Sequence, residues 1–443
     1  MLKSIFQKRN EVFAICILVA SVSGIALCYT AYRLSNIPYN TQIMSFGKYL
    51  LIAIAVILCI SLITWLFKHG VHKGGLKYVF LHNGMINRLR VELQDAGIFV
   101  KRFYMNEEVA VLPTIKVSFS KDYMTGEVRI RKTVKDLPKL DEDKDISCGL
   151  LDGFIIEQSY VSKDGHWNIY EIFYADYDRQ LIFENCQEFR QKCASVGDYD
   201  LIIDSITTIA LHHTLICGQT GSGKSYAVYG IIYQMLSKNI RYNLYFADPK
   251  QSGLAVIGKA IDSTRTADTI DGIIELIRNF HAELEKRKKL MESKLADSKA
   301  VEADYKSFQE TAEPVVLIFD EMLAFTLSLA NYEKKIRDEV TKMLSDIVLM
   351  GRQGGVYLFL ILQQSPANQL PSFIRDQLVF KCVLGNSDRS TYVTTFDTSA
   401  DIKTGKLSKG YGVYTYSGIT EKPKLLAFPT IRNFNIIDSI NKL

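Results

Sequence analysis

The sequence predicts an α/β P-loop domain carried behind an N-terminal two-helix transmembrane hairpin and a small α+β linking domain. Three observations predict this. Two long uncharged apolar runs lie close to the N-terminus; a middle stretch alternates apolar and polar residues at the period of short strands; and from about residue 200 short apolar runs alternate with longer segments of helical period, one junction carrying Gly218-Gln219-Thr220-Gly221-Ser222-Gly223-Lys224-Ser225. The expected domains are 1–68, 69–200 and 201–443.

Composition sets the frame. The chain has 443 residues, too many for one ordinary domain, with 48% hydrophobic and 23% charged residues, which is globular with an apolar excess concentrated near the N-terminus. A net charge of +5 is too weak to mark a purely electrostatic nucleic-acid binder. The eight cysteines form no CxxC pair and no zinc spacing with histidine, so they read as reduced thiols.

No charged residue occurs from Val12 to Tyr32 or from Tyr49 to Phe67. About 20 apolar residues cross a hydrocarbon core, so each run is long enough for a transmembrane span. The first run is too long for a signal-peptide core and is followed by no cleavage site. Lys3, Lys8 and Arg9 precede the first span and Lys68, Lys73 and Lys77 follow the second, whereas Leu34 to Gly47 carries no charge. Positive flanks place both ends in the cytoplasm, giving a multi-pass cell-membrane protein whose N-terminus and bulk are cytoplasmic.

The middle segment begins with a helical stretch over Tyr78 to Leu93. Ile115, Val117 and Phe119 then alternate with polar residues up to a turn at Tyr123 to Gly126, after which Val128 and Ile130 resume the alternation. A second hairpin spans Phe154 to Val161, the turn Lys163-Asp164-Gly165, and Trp167 to Tyr174. Nothing in this segment announces chemistry.

The next part does. Thr214 to Cys217 reads as a strand feeding the glycine-rich loop Gly218 to Ser225, and Tyr226 to Leu236 continues as a helix. Triphosphate oxygens need many converging donors, and consecutive N–H groups at a helix N-terminus supply them. Lys224 is placed to reach the β and γ phosphates of ATP, and the Ser225 hydroxyl to complete a Mg²⁺ shell. A carboxylate from a neighbouring strand must hold that shell, partly through water, and Val315 to Phe319 delivers Asp320. Glu321 follows, where a second carboxylate orients the attacking water. Ile336, Val340, Met343, Leu344, Ile347 and Val348 repeat at helical period opposite Lys334, Lys335, Arg337 and Lys342. The buried-strand pattern of Val356 to Leu362 ends at Gln363, where an amide could sense the γ phosphate.

The ordered set resembles the FtsK/SpoIIIE family of DNA translocases, most narrowly the coupling proteins of Gram-positive conjugative elements. The residues carrying the likeness are Leu211-His212-His213, Phe246-Ala247-Asp248-Pro249-Lys250, Leu284 to Met291, Asp320-Glu321 and Gly351 to Leu358, across roughly Asp200 to Pro429. The resemblance implies a RecA-like core in a hexameric ring, with ATP between subunits and DNA in the central channel. It also implies that Gln363 is the sensor and that Arg389 reaches the neighbour's ATP, with Arg352 as rival. Where the family usually has Arg-Pro after its glutamine, this chain has Gln364-Ser365-Pro366.

The function implied is ATP-driven DNA translocation at the membrane, feeding relaxase-bound, single-stranded DNA to conjugation pore proteins of a type IV secretion apparatus. The alternatives are a chromosome or plasmid partition translocase, a protein-secretion ATPase, and a nucleotide-switched scaffold. Only a short stretch follows Pro429, so the winged-helix module of chromosome-segregating members is expected to be absent. A single phosphate loop speaks against tandem secretion motors, and intact Lys224, Asp320 and Glu321 speak against a scaffold.

Overall fold

The computed structural model describes residues 5–33, 40–104, 106–132, 146–175, 178–298, 305, 313–363, 372–397, 406–420 and 422–442. The chain forms two compact units, Met1–Tyr177 and Asp178–Leu443.

In the first unit, α1 (Ile5–Arg33) and α2 (Asn40–Lys68) carry apolar stretches of membrane length at Asn10–Thr30 and Thr41–Lys68. They pack antiparallel, because Gly24 meets Leu51 while Gly47 meets Cys28. A Cβ on Gly47 would lie 2.7 Å from Cys28 Sγ and 3.2 Å from the Gly24 carbonyl, so the glycine is what lets the helices approach. Leu18, Ile25, Ile52 and Ile63 point outward and are exposed, a surface suited to hydrocarbon rather than water. The next helix, α3 (Val71–Asp95), breaks at Gly74–Gly75, where Gly75 takes φ 69° and the Tyr123 hydroxyl donates to Gly74 O at 2.7 Å.

Beyond the break α3 buries Met85, Ile86, Leu89 and Leu93. After a two-stranded ribbon, β1 (Val100–Tyr104) and β2 (Glu107–Val111), come β3 (Ile115–Phe119), β4 (Thr125–Arg131), β5 (Phe154–Val161) and β6 (Trp167–Tyr174), an antiparallel sheet of order β3-β4-β6-β5. Val117, Val128, Ile130 and Ile172 of this sheet share a core with the buried face of α3. Both expected hairpins are present. The β1–β2 ribbon was not expected, since its first strand, Val100-Lys101-Arg102-Phe103-Tyr104, has three exposed residues at its centre and lacks a clean alternation.

The second unit runs β7 (Ile182–Phe183), α4 (Cys186–Ala194), β8 (Asp200–Ile202), β9 (Thr208–Ala210), β10 (Thr214–Gly218), α5 (Lys224–Leu236), β11 (Asn243–Ala247), α6 (Gly253–Asp262), β12 (Thr266–Ala267) and α7 (Ile270–Ser298). It continues with β13 (Val315–Asp320), α8 (Met322–Leu329), α9 (Lys334–Gly354), β14 (Val356–Leu362), α10 (Ser372–Gln377), β15 (Phe380–Leu384), α11 (Arg389–Phe396), β16 (Tyr411–Tyr416), β17 (Lys424–Ala427), β18 (Thr430–Ile431) and α12 (Ile436–Ile440). The main sheet has the order β12-β11-β13-β14-β10-β15-β16-β17, parallel through β15 and antiparallel over its last pairs.

Every residue of β10, β14 and β15 is buried, as strands covered on both faces must be, which is why β14 reads as an unbroken apolar run and β10 nearly so, while β15 buries Lys381 against Asp397. Leu215 and Cys217 face the core made by α7, α8 and α9, while Ile216 faces the one made by α5, α6 and α12. This is the α/β architecture the sequence implied.

Two expectations need correction. The boundary expected at residue 200 lies at Tyr177/Asp178, because the segment before β8 is built into the second unit. Phe189 and Cys193 pack with Tyr233 of α5, and the Arg179 guanidinium donates to Leu425 O. The carboxylate strand β13 is also not next to the loop strand β10; β14 lies between them, so its end stands between the phosphate loop and Asp320.

Candidate active site

All the parallel strands end on one edge of the sheet, and the site is built there. Strand β10 runs into a loop in which Gly221 and Gly223 adopt φ 89° and 99°, conformations costly for any side chain. Gly223 is constrained twice, since a Cβ would also lie 2.7 Å from Gly410 N, which donates at 2.8 Å to Ser222 O. Behind the loop the Ser222 hydroxyl is buried and packed against Gly218, whose missing Cβ leaves it room. Helix α5 then starts at Lys224 with its N-terminal N–H groups at the site.

Gln219, Thr220, Gly221, Gly223, Lys224 and Ser225 line a cavity of about 330 Å³. Asp320, Glu321 and Gln363 face them across it. Glu321 sits at the N-cap of α8 in a left-handed conformation, φ 47°, held by its own N–H donating to Ile361 O at 2.8 Å. Its side chain is buried and lies 3.4 Å from Lys250 Nζ. Strained, buried and paired, Glu321 is held in place by the fold rather than by local preference.

The neighbouring strand end shows where Lys250 comes from. Asp248 is fully buried and accepts from the N–H groups of Lys250, Ser252 and Ala255, at 3.2, 2.7 and 3.0 Å, and from the Ser252 hydroxyl at 2.8 Å. It thereby caps α6 and fixes the turn that presents Lys250 and Ser252 to the cavity. Ser252 Oγ is also 3.3 Å from Asp320 Oδ2.

Electrostatics fit these residues to a phosphate-bound cation. Burial pushes the Lys224 ammonium below its usual value, opposed by Asp320 and Glu321. Burial pushes the Asp320 carboxyl up, opposed by Lys224 and reinforced by Asp248 and Glu321. Each charge is therefore under-compensated in opposite senses, and anionic oxygens beside Lys224 together with a divalent cation beside Asp320 would relieve both.

The remaining expected residues separate. Gln363, at the end of the interposed β14, lies in the cavity between loop and carboxylates. Arg389 is exposed at the first position of α11 and does not line this cavity. Arg352 lies in the last turn of α9, ahead of β14, on the opposite edge of the sheet. The Gly351 to Gly355 element closes that turn. Gly355 takes φ 67° as the α9 C-cap, and a Cβ on Gly351 would lie 2.5 Å from Val356 O.

Arg287 braces the same turn by donating to the carbonyls of Gly354, Gly355 and Glu313. Gln364, Ser365 and Pro366 lie outside the described residues. Tyr226, Lys250, Ser252 and Lys409 also line the cavity without having been assigned a role from sequence. For Lys250 the signal was there, in its place just after an apolar strand and an Asp-Pro pair; for Lys409 no local signal existed, since its position depends on Gly410 closing over the loop.

With this geometry in hand, residues 198–367 match the FtsK/SpoIIIE family. Over that segment the chain is similar to FtsK/SpoIIIE domains. The loop and the carboxylates facing it make this a P-loop ATPase domain. Over 206 residues the chain is 29% identical to the FtsK domain-containing protein YdcQ of Bacillus subtilis (strain 168), covering 46% of this chain and 40% of that protein, so the match reaches less than half of the relative's length. Among solved structures the conjugation coupling protein TcpA of pCW3, a monomer with ATPγS, is 15% identical, covers 81% of this chain and 99% of that one, and gives a TM-score of 0.47. The cytoplasmic domain of the type VII secretion ATPase EccC of Thermomonospora curvata is 12% identical, covers 57% and 32%, and gives 0.42. The fold stands on the strand order and site geometry above, not on these two likenesses.

Proposed function

We propose that this chain is a membrane-anchored, ATP-driven DNA translocase that acts as the coupling protein of a conjugation apparatus, passing relaxase-bound DNA toward the pore. The observation that carries the reading is the cavity in which Lys224, Ser225, Asp320, Glu321 and Gln363 converge, in a chain that also has two apolar helices of membrane length. Loop N–H groups and Lys224 would hold the β and γ phosphates of ATP, and Ser225 and Asp320 would hold Mg²⁺. When bound there, the cation would supply charge neutralisation at the γ oxygens. Glu321 orients and polarises the attacking water, kept in position by Lys250 and by its own backbone bond to Ile361.

Gln363 stands where a change in the γ phosphate reaches both the loop and the carboxylates. Arg389, outside the cavity of its own chain, serves the neighbouring subunit's site in a homo-oligomeric, hexameric ring with DNA in its channel. The two spans hold the ring at the membrane with the N-terminus and motor on the cytoplasmic side. The test is conjugative transfer of a marked element from cells carrying the native chain or Lys224→Ala, with chromosome segregation scored in the same cells. Collapse of transfer with normal segregation supports the coupling role. Unchanged transfer removes it and moves the partition and protein-secretion readings ahead.

A further inference from the structure

The chain enters the second unit through Asp178-Arg179-Gln180, a short strap with no helix or strand of its own. Its hydrogen bonds run to the strands that follow Gly410. Asp178 Oδ1 accepts from the Tyr411 hydroxyl and from Gln180 N, the latter at 2.8 Å. The buried Arg179 guanidinium donates to Leu425 O, and Gln180 Nε2 donates to Phe428 O at 3.1 Å. One step further on, Thr430 N donates to Leu181 O and Arg432 N to Phe183 O, at 2.8 and 2.9 Å, as β18 pairs with β7.

These partners are the pieces that close over the phosphate loop. Phe428 N donates to Gly410 O at 2.9 Å, and Gly410 N in turn donates to Ser222 O at 2.8 Å. Contact is tight on both sides: a Cβ on Gly410 would lie 3.0 Å from Gln180 Nε2, and a Cβ on Gly223 would lie 2.7 Å from Gly410 N. Gly410 is therefore held between strap and loop, and it grips the loop at Ser222, between the two residues of positive φ, Gly221 and Gly223. Burial and the Asp178 carboxylate push the Tyr411 phenol up, so its hydroxyl stays a donor at neutral pH. Strap and covering strands both lie outside residues 198–367, so this arrangement does not follow from the family match.

We propose that Asp178 and Gln180 are positioning residues for the phosphate loop, acting through Gly410, so that the lie of the strap sets how tightly a nucleotide's phosphates are held. The proposal rests on the ATPase reading of the phosphate cavity. Convergent N–H groups grip an anion only while their spacing is kept, and a loop buttressed at Ser222 moves with its buttress. The coupling is reciprocal: a strap that biases the loop must itself be tightened when nucleotide binds. Because the strap is where the chain arrives from the first unit, it gives that unit a covalent route to the loop.

The test uses the full chain in lipid nanodiscs with Mg-ATP. Neither Asp178 nor Gln180 is fully buried, so Asp178→Ala and Gln180→Ala should keep melting temperatures near native. The loop holds phosphates in ground and transition state alike, so loosening it should raise KM about fivefold or more with kcat within about twofold. Tyr411→Phe, which removes only the hydroxyl, should reproduce Asp178→Ala, while Asp178→Asn, which keeps an oxygen acceptor, should restore native KM. A merely structural role would lower the melting temperature and leave KM unmoved. Amide exchange over residues 428–432, whose N–H groups bond Gly410, Leu181 and Phe183, should slow about threefold or more when a non-hydrolysable ATP analogue binds. KM within about twofold of native in Asp178→Ala, Gln180→Ala and Tyr411→Phe, or exchange over 428–432 indifferent to nucleotide, overturns the proposal. Native turnover in Lys224→Ala overturns the phosphate-cavity reading instead.

Discussion

Asp248 and Asp320 end neighbouring strands of one sheet, yet the fold treats them oppositely. Asp248 is fully buried and spends its oxygens on three backbone N–H groups and one hydroxyl. Asp320 has one hydroxyl at 3.3 Å, and burial pushes its carboxyl up toward the protonated form. The first carboxylate is satisfied by its own chain and therefore builds structure; the second keeps lone pairs and carries an unfavourable charge, which a bound cation would relieve. Sequence treats both as an Asp at the end of an apolar run. Only the neighbouring N–H groups tell them apart.

The largest effect expected from this contrast is on catalysis. Asp320→Asn should lower Mg-ATP turnover by at least about a hundredfold, in line with loss of a charge-stabilising group, as measured by phosphate release. Its ligand-free stability should not fall. The folded pKa lies above the unfolded value, so Asp320 contributes stability at low pH that is lost as pH rises through the folded pKa. At neutral pH the ionised group opposes folding, and removing its charge should hold or raise the melting temperature. A marked drop in melting temperature for this variant would erase the distinction between the two residues.

Asp248→Ala should show the reverse emphasis. Stripping a buried cap from three N–H groups should cost about 2–4 kcal/mol of stability, read from denaturant unfolding of the motor. Turnover would fall only as far as Lys250 and Ser252 drift. A stable variant with lost turnover would make Asp248 part of the chemistry and not of the frame.

On the opposite edge of the sheet, His213 is buried with Nδ1 accepting from Leu358 N at 2.9 Å, and burial pushes its pKa down to about 3 from the ordinary 6.5. A neutral imidazole is favoured in the fold, so its contribution is complete above the unfolded value of 6.5 and is lost progressively as pH falls toward 3. His213→Asn keeps an acceptor and removes the titration. Thermal melts across that range should be flatter for the variant, and an equally steep acid loss would assign it to other groups. Smallest of all, Gly355→Ala should cost about 1 kcal/mol by placing a Cβ at the left-handed C-cap, with turnover unchanged because that edge carries no chemistry.

Legibility followed the same division. The strands β10, β13 and β14 were readable as apolar runs because both their faces are buried, and the loop from Gly218 to Ser225 was readable because its glycines answer to positive φ at Gly221 and Gly223. Asp320, Glu321 and Gln363 were readable because strand ends on one edge of a parallel sheet must converge. The strand order was not, since no local pattern says that β14 lies between β10 and β13. Nor was the start of the second unit, where short pieces such as β7 and β8 gain their identity only by packing on Tyr233 and pairing with Thr430–Ile431. Lys409 escaped for the same reason, being brought to the site by a loop that closes some 190 residues after the one it covers, from Gly218 to Lys409.

The most direct test of the account compares native protein, Lys224→Ala and Glu321→Gln in lipid nanodiscs, measuring Mg-ATP binding and turnover on the same samples. The account predicts that Glu321→Gln binds ATP near native affinity but turns it over at least about a hundredfold more slowly, while Lys224→Ala loses binding and turnover together. Turnover retained in both variants would contradict it and remove the ATPase assignment from this cavity.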